Sequence, residues 1–209
     1  MPKLSKREFT ILNFVQCIVS FYCHAIVCLH NAFETRLLKN KVFPPNFVSN
    51  GKNYSFIVVA PQFKGWPTGA DVNAVIDYAI AHYRVDPTMV YVAGLSMGGG
   101  ATWKFATAYP AKAAAIVPIC GAQAASLSNA AKIAKAALPV WAFHNNDDPT
   151  VGVLTTNNWI QYINSSTPGI TAVKTIFPSG GHDAWTKASD PSYKENNLNM
   201  YEWMLQYHR

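Results

Sequence analysis

Charged side chains are scarce in this sequence. Only 13% of its 209 residues are Asp, Glu, Lys or Arg, whereas 50% are hydrophobic. A disordered chain has the opposite balance, because low hydrophobicity and high charge keep it unfolded. The composition therefore predicts one globular domain, and the chain is long enough to bury a full central sheet.

Acidic residues are fewer than basic ones, but the excess cations form no concentrated patch. The chain has 17 Lys and Arg and 11 Asp and Glu, which gives a net charge of +6. Lys3, Lys6 and Arg7 lie together near the N-terminus, and most of the others are scattered singly. Because a nucleic-acid-binding face requires clustered cations, we expect no nucleic-acid partner.

Cysteine is also rare. The chain has four cysteines and no Cys-x-x-Cys pair, and such pairs are typical of zinc and redox sites. The cysteines therefore suggest neither a zinc site nor a redox motif, and nothing else in the sequence implies a metal or an organic cofactor. Cys120 lies in an apolar run, where a buried free thiol is expected.

The N-terminal segment combines basic residues with a run, residues 9–33, that contains no Asp, Glu, Lys or Arg. This pattern resembles the start of a secretory signal. However, Asn13, Gln16, Ser20 and His24 interrupt the run. No small-x-small cleavage site follows, and the same interruptions make a transmembrane helix unfavourable, so we expect no membrane partner. Two alternatives stay open for residues 1–36: a targeting segment or anchor, as in a secreted protein, or a structured or poorly ordered extension of the domain.

From residue 55 onward, strand and helix patterns alternate, which is typical of a mostly parallel sheet covered by helices on both faces. The apolar run Phe56–Ala60 predicts a buried strand. Thr68 and Asp71 form a capping-box pair at the start of the next helix. Further strands are predicted at 89–93, 113–119, 139–144 and 171–177, and further helices at 101–109, 124–137, 155–163 and 198–207. Residues 37–209 are therefore predicted to form an α/β domain.

The segment Gly94-Leu-Ser-Met-Gly98 follows a predicted strand directly and precedes a predicted helix. In this context Gly-x-Ser-x-Gly is typical of a nucleophile elbow, a sharp turn that holds its serine in a strained backbone conformation. Side chains two residues before and after the serine would collide, so both positions require glycine. The pattern predicts Ser96 as a nucleophile and the backbone N–H of Met97 as a donor to a developing oxyanion.

A serine hydroxyl is a weak nucleophile and needs a base that a carboxylate orients. In this architecture both partners come later in the chain, in the order serine, acid, histidine. Three histidines follow Ser96: His144, His182 and His208. His208 is next to the last residue, and His144 ends a strand directly before an acidic loop, where the acid is expected. His182, in a Gly-rich loop after a later strand, is therefore predicted as the base.

The acid is either Asp147 or Asp148, because both follow the strand that ends at His144. Neighbouring side chains point in different directions, so only one of them can accept the imidazole N–H. Position alone does not choose between them. The other aspartate is expected to cap the turn at Pro149.

Five segments resemble, in order, sequence blocks of bacterial carboxylesterases: 56–62, 90–99, 117–121, 139–144 and 180–185. These are α/β-hydrolases related to phospholipase/carboxylesterase, feruloyl and acetylxylan esterase and polyhydroxybutyrate-depolymerase-like enzymes. The resemblance covers about residues 37–209. It implies a three-layer α/β-hydrolase fold and a cofactor-free serine carboxylesterase, acting on short-chain acyl or carbohydrate-linked esters. In that family the acid is the last residue of His-Gly-x-x-Asp, which falls on Asp148.

The sequence departs from this family in two places. Asn145 replaces the glycine of the His-Gly-x-x-Asp motif, and asparagine tolerates a positive φ better than most residues. The family's Leu-His-Gly-x-Gly loop, which supplies the second oxyanion donor, is matched only by residues 29–33, and one or two N-terminal strands are expected to be missing. If the match holds, residues 25–30 form a buried strand beside Phe56–Ala60, and Asn31 or Ala32 supplies the donor. The alternative is that residues 1–36 form helix or disordered chain.

Three residues are candidates for contact with the substrate. Gln62 and Trp66 follow the strand at 56–60, on the sheet edge where ligands bind in α/β folds, and Trp185 lies three residues after His182. Ordinary packing is the alternative for both tryptophans. Two other functions also stay open: a peptidase, since the same triad cleaves amides, and a non-catalytic relative that keeps the fold.

Overall fold

The computed structural model describes residues 10–11, 23–29, 46–63 and 65–209. The strands are β1 (Thr10–Ile11), β2 (Cys23–Leu29), β3 (Asn46–Ser49), β4 (Lys52–Ser55), β5 (Ile57–Val59), β6 (Pro61–Gln62), β7 (Val85–Leu95), β8 (Ala115–Ile119), β9 (Trp141–Asn145) and β10 (Val173–Phe177). The helices are α1 (Gly69–His82), α2 (Met97–Ala108), α3 (Leu127–Lys135), α4 (Leu154–Ser165), α5 (Trp185–Ala188) and α6 (Met200–Met204).

Six of these strands form one sheet in the order β10-β9-β8-β7-β2-β5. Every neighbouring pair in it is parallel. The predicted α/β fold with a parallel sheet is therefore confirmed. The carboxyl ends of these strands meet at one edge of the sheet, which is where the loops carrying Ser96, Asp148 and His182 begin.

The side chains of β7 show why the sheet has a layer on each face. Val90 and Val92 belong to a buried cluster that includes residues of α1, α2, α3 and α4. Tyr91 and Ala93 belong to a second cluster with residues of α5, α6 and the β3–β4 hairpin. Because successive side chains of a strand point to opposite faces, one apolar run packs against both layers. The predicted three-layer arrangement is confirmed.

Strand β2 lies inside the sheet, between β5 and β7. Its residue Val27 pairs with Val59 on one side and with Val92 on the other, and it is completely buried. The predicted strand beside Phe56–Ala60 is therefore confirmed, and the alternative of helix or disorder is wrong for Cys23–Leu29. The prediction that one or two N-terminal strands are missing stays a prediction.

Local signals in the sequence account for several element boundaries. The predicted capping box is present: Thr68 Oγ1 accepts from Asp71 N at 3.2 Å, and Asp71 Oδ2 accepts from Thr68 N at 2.9 Å. The β3–β4 hairpin was not predicted, although its turn is Asn50-Gly51, whose φ values of 51° and 73° suit a type I′ turn. Strand β7 begins at Val85 rather than at residue 89, because Val85 already pairs with β2.

Among the described residues, no helix is both long enough and apolar enough to cross a membrane.

The stacked pair Trp103 and Trp159 offers a test of the packing between α2 and α4. The two ring centroids are 4.5 Å apart and both side chains are fully buried. We expect Trp159→Ala to lower the free energy of unfolding by about 3–5 kcal/mol, because it leaves a large cavity. Leu154→Ala on the same helix removes a side chain that is 68% exposed and should change it by less than about 0.5 kcal/mol. Urea denaturation of both variants measures the difference, and equal losses would contradict this account of the core.

Candidate active site

Ser96 lies in a tight turn between the end of β7 and the start of α2. Its φ is 53°, a left-handed conformation that is strained for a residue with a side chain. A Cβ on Gly94 would lie 2.4 Å from the carbonyl oxygen of Gly98, so the turn requires glycine at position 94. Hydrogen bonds attach the turn to the end of β8, since Ser96 N donates to Ile119 O at 2.9 Å and Ser96 O accepts from Ala122 N at 3.0 Å.

The structure brings Ser96, His182 and Asp148 together in one hydrogen-bonded chain. His182 Nε2 is 2.8 Å from Ser96 Oγ, and His182 Nδ1 is 2.7 Å from Asp148 Oδ2. An ionised carboxylate can only accept, so Nδ1 carries the ring proton and Nε2 is left to accept from the serine hydroxyl. The Asp148 side chain is fully buried and that of His182 is 22% exposed. This arrangement can activate a serine hydroxyl for attack on a carbonyl carbon.

The two adjacent aspartates contact different parts of the site. Asp148 Oδ1 accepts from the backbone N–H groups of Thr150 and Val151, at 2.8 and 2.9 Å, while its Oδ2 contacts His182. Asp147 instead accepts from the N–H groups of the loop before His182, Gly180 at 3.2 Å and Gly181 at 2.9 Å. The expectation that the second aspartate caps the turn at Pro149 is therefore wrong, because Asp148 holds both the turn and the histidine.

These contacts keep the Asp148 carboxylate ionised. Burial alone raises the pKa of this carboxyl, but hydrogen bonds from His182 and from the N–H groups of Val151 and Thr150 outweigh it, and the pKa lies below its usual value. A charged acceptor therefore stays beneath the imidazole. It fixes the ring orientation and would stabilise an imidazolium.

His144 is completely buried next to the turn that contains Asp148. Its Nε2 is 2.8 Å from the carbonyl oxygen of Val151, so Nε2–H donates there and Nδ1 accepts from the Thr156 hydroxyl at 2.8 Å. Nε2 is also 3.3 Å from Asp148 Oδ2. Burial lowers the pKa of His144, so the ring is neutral. The sequence predicted that His144 lies close to Asp148. It did not reveal that His144 holds the turn that follows Asp148 through a hydrogen bond to Val151.

Asn145 and Gly180 form a contact that the sequence did not reveal. Asn145 is buried at the end of β9, and its Nδ2 donates to the carbonyl oxygen of Gly181 at 2.9 Å. A Cβ on Gly180, whose φ is +145°, would lie 2.5 Å from this amide nitrogen. Asn145 is not among the residues with positive φ. The ability of asparagine to adopt a positive φ is therefore not needed at this position. Its amide and the carboxylate of Asp147 instead hold the loop that carries His182.

The remaining predicted site residues differ in where they lie. Met97 is the first residue of α2, so its N–H has no acceptor within the helix. The Trp185 ring is 5.5 Å from that of His182, edge to face.

Trp66 is 61% exposed, and the amino group of Lys104 lies over its ring. Lys104 is about two helical turns along α2 from Ser96, so this contact does not bring Trp66 to the site. Gln62 pairs with Thr10 in the β1–β6 ladder. Asn31 and Ala32 lie outside the described residues.

Cys120 is a further residue close to these groups. It is completely buried directly after β8 and has a φ of 38°. Burial raises the pKa of its thiol to about 12, although the nearby N–H groups of Ser96 and Ala184 act in the opposite direction. The thiol is therefore neutral and unreactive near neutral pH. The sequence predicted the buried thiol but not its position beside His182.

A parallel sheet between two helical layers, with a strained serine at the end of a central strand, defines an α/β-hydrolase. A model of the phospholipase/carboxylesterase family matches residues 68–193, which is more than half of the chain. The chain therefore belongs to this family, as predicted. No curated protein matches the sequence.

Solved structures of similar fold include several esterases. A thermostable esterase superposes with a TM-score of 0.71 at 20% identity, over 96% of this chain and 63% of its own. This chain thus spans less than two thirds of that esterase. Est1E from Butyrivibrio proteoclasticus gives 0.62 at 13% identity, over 84% of this chain and 90% of its own. A putative dienelactone hydrolase from Klebsiella pneumoniae gives 0.59 at 15%, over 88% and 85%. At these identities the likeness concerns the fold, and the predicted α/β-hydrolase fold is confirmed.

The neutral state of His144 can be tested by nitrogen-15 NMR of its ring. We expect the Nε2–H tautomer to persist as the pH falls through the ordinary histidine value of 6.5. Below about pH 6.5, His144 takes up a proton in the unfolded chain but not in the folded chain. The free energy of unfolding should therefore decrease as the pH is lowered through that value. Thr156→Val removes the hydroxyl donor to Nδ1 and should disturb the tautomer signal, whereas Thr156→Ser should preserve it. A His144 ring that titrates at the value of a free histidine would contradict this assignment.

Proposed function

We propose that this hydrolase is a serine carboxylesterase with Ser96 as the nucleophile, His182 as the general base and Asp148 as the orienting acid. One observation carries the proposal: an unbroken chain of hydrogen bonds runs from Ser96 Oγ through both ring nitrogens of His182 to Asp148, with distances of 2.8 and 2.7 Å. Both distances are within the reach required of a nucleophile and its base.

In the first half-reaction, Ser96 Oγ attacks the ester carbonyl carbon while its proton passes to His182 Nε2. The carbonyl oxygen becomes an oxyanion at the N-terminus of α2, where the Met97 N–H can donate to it. The tetrahedral intermediate collapses as the imidazolium returns its proton to the leaving alcohol. An acyl group is then bonded to Ser96. The buried carboxylate of Asp148 stabilises the imidazolium while it exists.

In the second half-reaction, a water molecule attacks the acyl carbon and gives its proton to His182. Collapse of the second tetrahedral intermediate releases the acid and restores the Ser96 hydroxyl. All proton transfers go through one nitrogen, His182 Nε2. The reaction needs no metal or organic cofactor.

The second oxyanion donor is proposed to be the backbone N–H of Asn31 or Ala32. In support, Leu29 at the end of β2 pairs with Gly94, two residues before Ser96. Strand β2 therefore ends at the edge of the sheet where the serine lies. Loss of one such donor costs about 10²–10³ in rate, so this loop would decide how fast the enzyme turns over.

The proposed substrates are small esters with a short acyl group, including esters linked to carbohydrate. Residues 120–140, which join β8 to β9, contain only the short helix α3 and leave little chain for a large lid. Trp185, edge-on to the His182 ring, would form one wall beside the reacting carbonyl. Trp66 and Gln62 have less support, since their described contacts are with Lys104 and with Thr10.

The role of the acid is tested by a matched pair of substitutions. Asp148→Asn should lower kcat by about 10⁴, because an amide can donate to Nδ1 and select the wrong tautomer. Asp147→Asn should lower kcat by less than about tenfold, since an amide oxygen can still accept one of the two loop N–H groups. Steady-state kinetics with p-nitrophenyl acetate measure both. A larger loss in Asp147→Asn than in Asp148→Asn would assign the acid to the other residue.

The substrate class is tested with p-nitrophenyl acetate, butyrate, octanoate and palmitate, beside methyl ferulate and acetylated xylan. We expect kcat/KM to be highest for the short acyl chains and to show no increase at the micellar limit, because the segment that joins β8 to β9 is too short for a large lid. Aminoacyl anilides serve as the control for peptidase activity and should be cleaved far more slowly. Values that rise from butyrate to palmitate would refute the short-chain proposal.

A further inference from the structure

Three potential metal ligands lie together beside Ser96. The sulfur of Cys120, a carboxylate oxygen of Asp148 and a ring nitrogen of His182 are all within 4.8 Å of one another. Cys120 follows β8, Asp148 follows β9 and His182 follows β10, and these strands are neighbours in the sheet. The parallel topology therefore brings three residues that are far apart in the sequence to one point.

We propose that Cys120, His182 and Asp148 bind a soft divalent cation such as Zn²⁺ or Cd²⁺, and that the bound cation inhibits the esterase. The binding part of this proposal stands on the geometry of the three side chains. The inhibitory part rests on the proposed roles of His182 and Asp148. The cation is an inhibitor here and takes no part in turnover.

The ligand set and its spacing suit such a cation. Thiolate, imidazole and carboxylate are the usual protein ligands of Zn²⁺, at about 2.0–2.3 Å from the metal, so ligand atoms around a tetrahedral ion are about 3.5 Å apart. The three atoms here need to close by roughly an ångström, and water can supply a fourth ligand. Mg²⁺ prefers six oxygen ligands in octahedral geometry, so it should not bind.

Binding requires the loss of one proton. The cation forms a bond to the Cys120 sulfur, and the thiol proton is released to solvent. Asp148 is already ionised, and His182 binds as the neutral imidazole. Burial raises the pKa of the Cys120 thiol to about 12, so the cation itself must displace the proton; the nearby N–H groups of Ser96 and Ala184 act in the opposite direction to burial.

The bound cation would disable His182 whichever ring nitrogen it takes. At Nε2 it occupies the lone pair that must accept the proton of Ser96. At Nδ1 it displaces the ring proton to Nε2, and a protonated Nε2 cannot act as a base. At Nδ1 the cation also replaces the Asp148–His182 hydrogen bond of 2.7 Å.

Of the three ligands, only the histidine is partly exposed. Cys120 and the Asp148 side chain are fully buried, whereas the His182 side chain is 22% exposed. We therefore expect that the His182 ring must move aside before a cation reaches Cys120. Inhibition should consequently develop slowly after mixing and should be reversed by a chelator.

Direct binding is tested in the full-length Ser96→Ala variant, which keeps all three ligands but has no nucleophile. Titration with Cd²⁺ should produce a sulfur-to-cadmium charge-transfer band in the ultraviolet. Introducing Cys120→Ala into this variant should lower the absorbance of that band by the contribution of one thiolate. The other three cysteines of the chain are present in both proteins, so they do not contribute to the difference. Adding His182→Ala instead should weaken Cd²⁺ binding at least tenfold, as expected when a ligand is removed. If the Cys120→Ala protein gives the same band as its parent, the metal site does not exist.

Inhibition is tested in the protein that retains Ser96. Preincubation with Cd²⁺ or Zn²⁺ should abolish hydrolysis of p-nitrophenyl acetate, Mg²⁺ should not, and EDTA should restore the rate. Each variant is compared with its own rate without metal. Cys120→Ala, with Cys120→Ser as a second replacement, should raise the inhibitory Cd²⁺ concentration at least tenfold. Equal sensitivity in folded Cys120→Ala and Cys120→Ser proteins, judged by their thermal unfolding, would overturn the proposal.

The two experiments separate this proposal from the proposed catalytic roles. If the metal site is wrong, Cd²⁺ binding does not depend on Cys120, while Asp148→Asn still loses activity. If the catalytic roles are wrong, the Cys120-dependent band is still present in Ser96→Ala, but Cd²⁺ leaves esterase activity intact.

Discussion

The site depends on the strained backbone of Ser96. A left-handed φ at a residue with a side chain costs about 1–3 kcal/mol and persists only when the surroundings enforce it. Here the end of β8 accepts the Ser96 N–H, the N–H of Ala122 binds its carbonyl, and the absence of a side chain at Gly94 lets the strand approach Gly98. These contacts raise the hydroxyl above the strand ends, where a histidine from another loop can reach it.

The other two members of the hydrogen-bonded chain come from loops, and neighbouring groups hold each loop. Asp148 is fixed by two N–H groups of its own turn, and the neutral His144 ring binds the carbonyl of Val151 in that turn. The loop of His182 is held by the Asp147 carboxylate and the Asn145 amide. All three side chains are thus positioned before any substrate binds, which lowers the reorganisation needed during the reaction.

Much of this could be predicted from the sequence, and the exceptions have physical reasons. The elbow and His182 follow from local patterns and from the order of the elements, because parallel strands present their following loops at one edge. The choice between Asp147 and Asp148 depends on side-chain direction, which adjacent residues do not share. The contact of Asn145 with the Gly180-Gly181 loop joins residues far apart in the sequence. Trp66 was assigned by its position after a strand, but that position does not determine which way a side chain points.

The location of β2 has a consequence for how the sheet assembles. Strands β7, β8, β9 and β10 are neighbours in both sequence and space, so they can pair successively as the chain collapses. Strand β2 comes from the first thirty residues and pairs with β5 and β7, and within the described residues it is the strand that joins β5 to the rest of the sheet. Such long-range closure is entropically costly and slows folding. The segment next to the expected oxyanion loop therefore also joins β5 to the sheet, and this edge of the sheet forms only when residues far apart in the sequence meet.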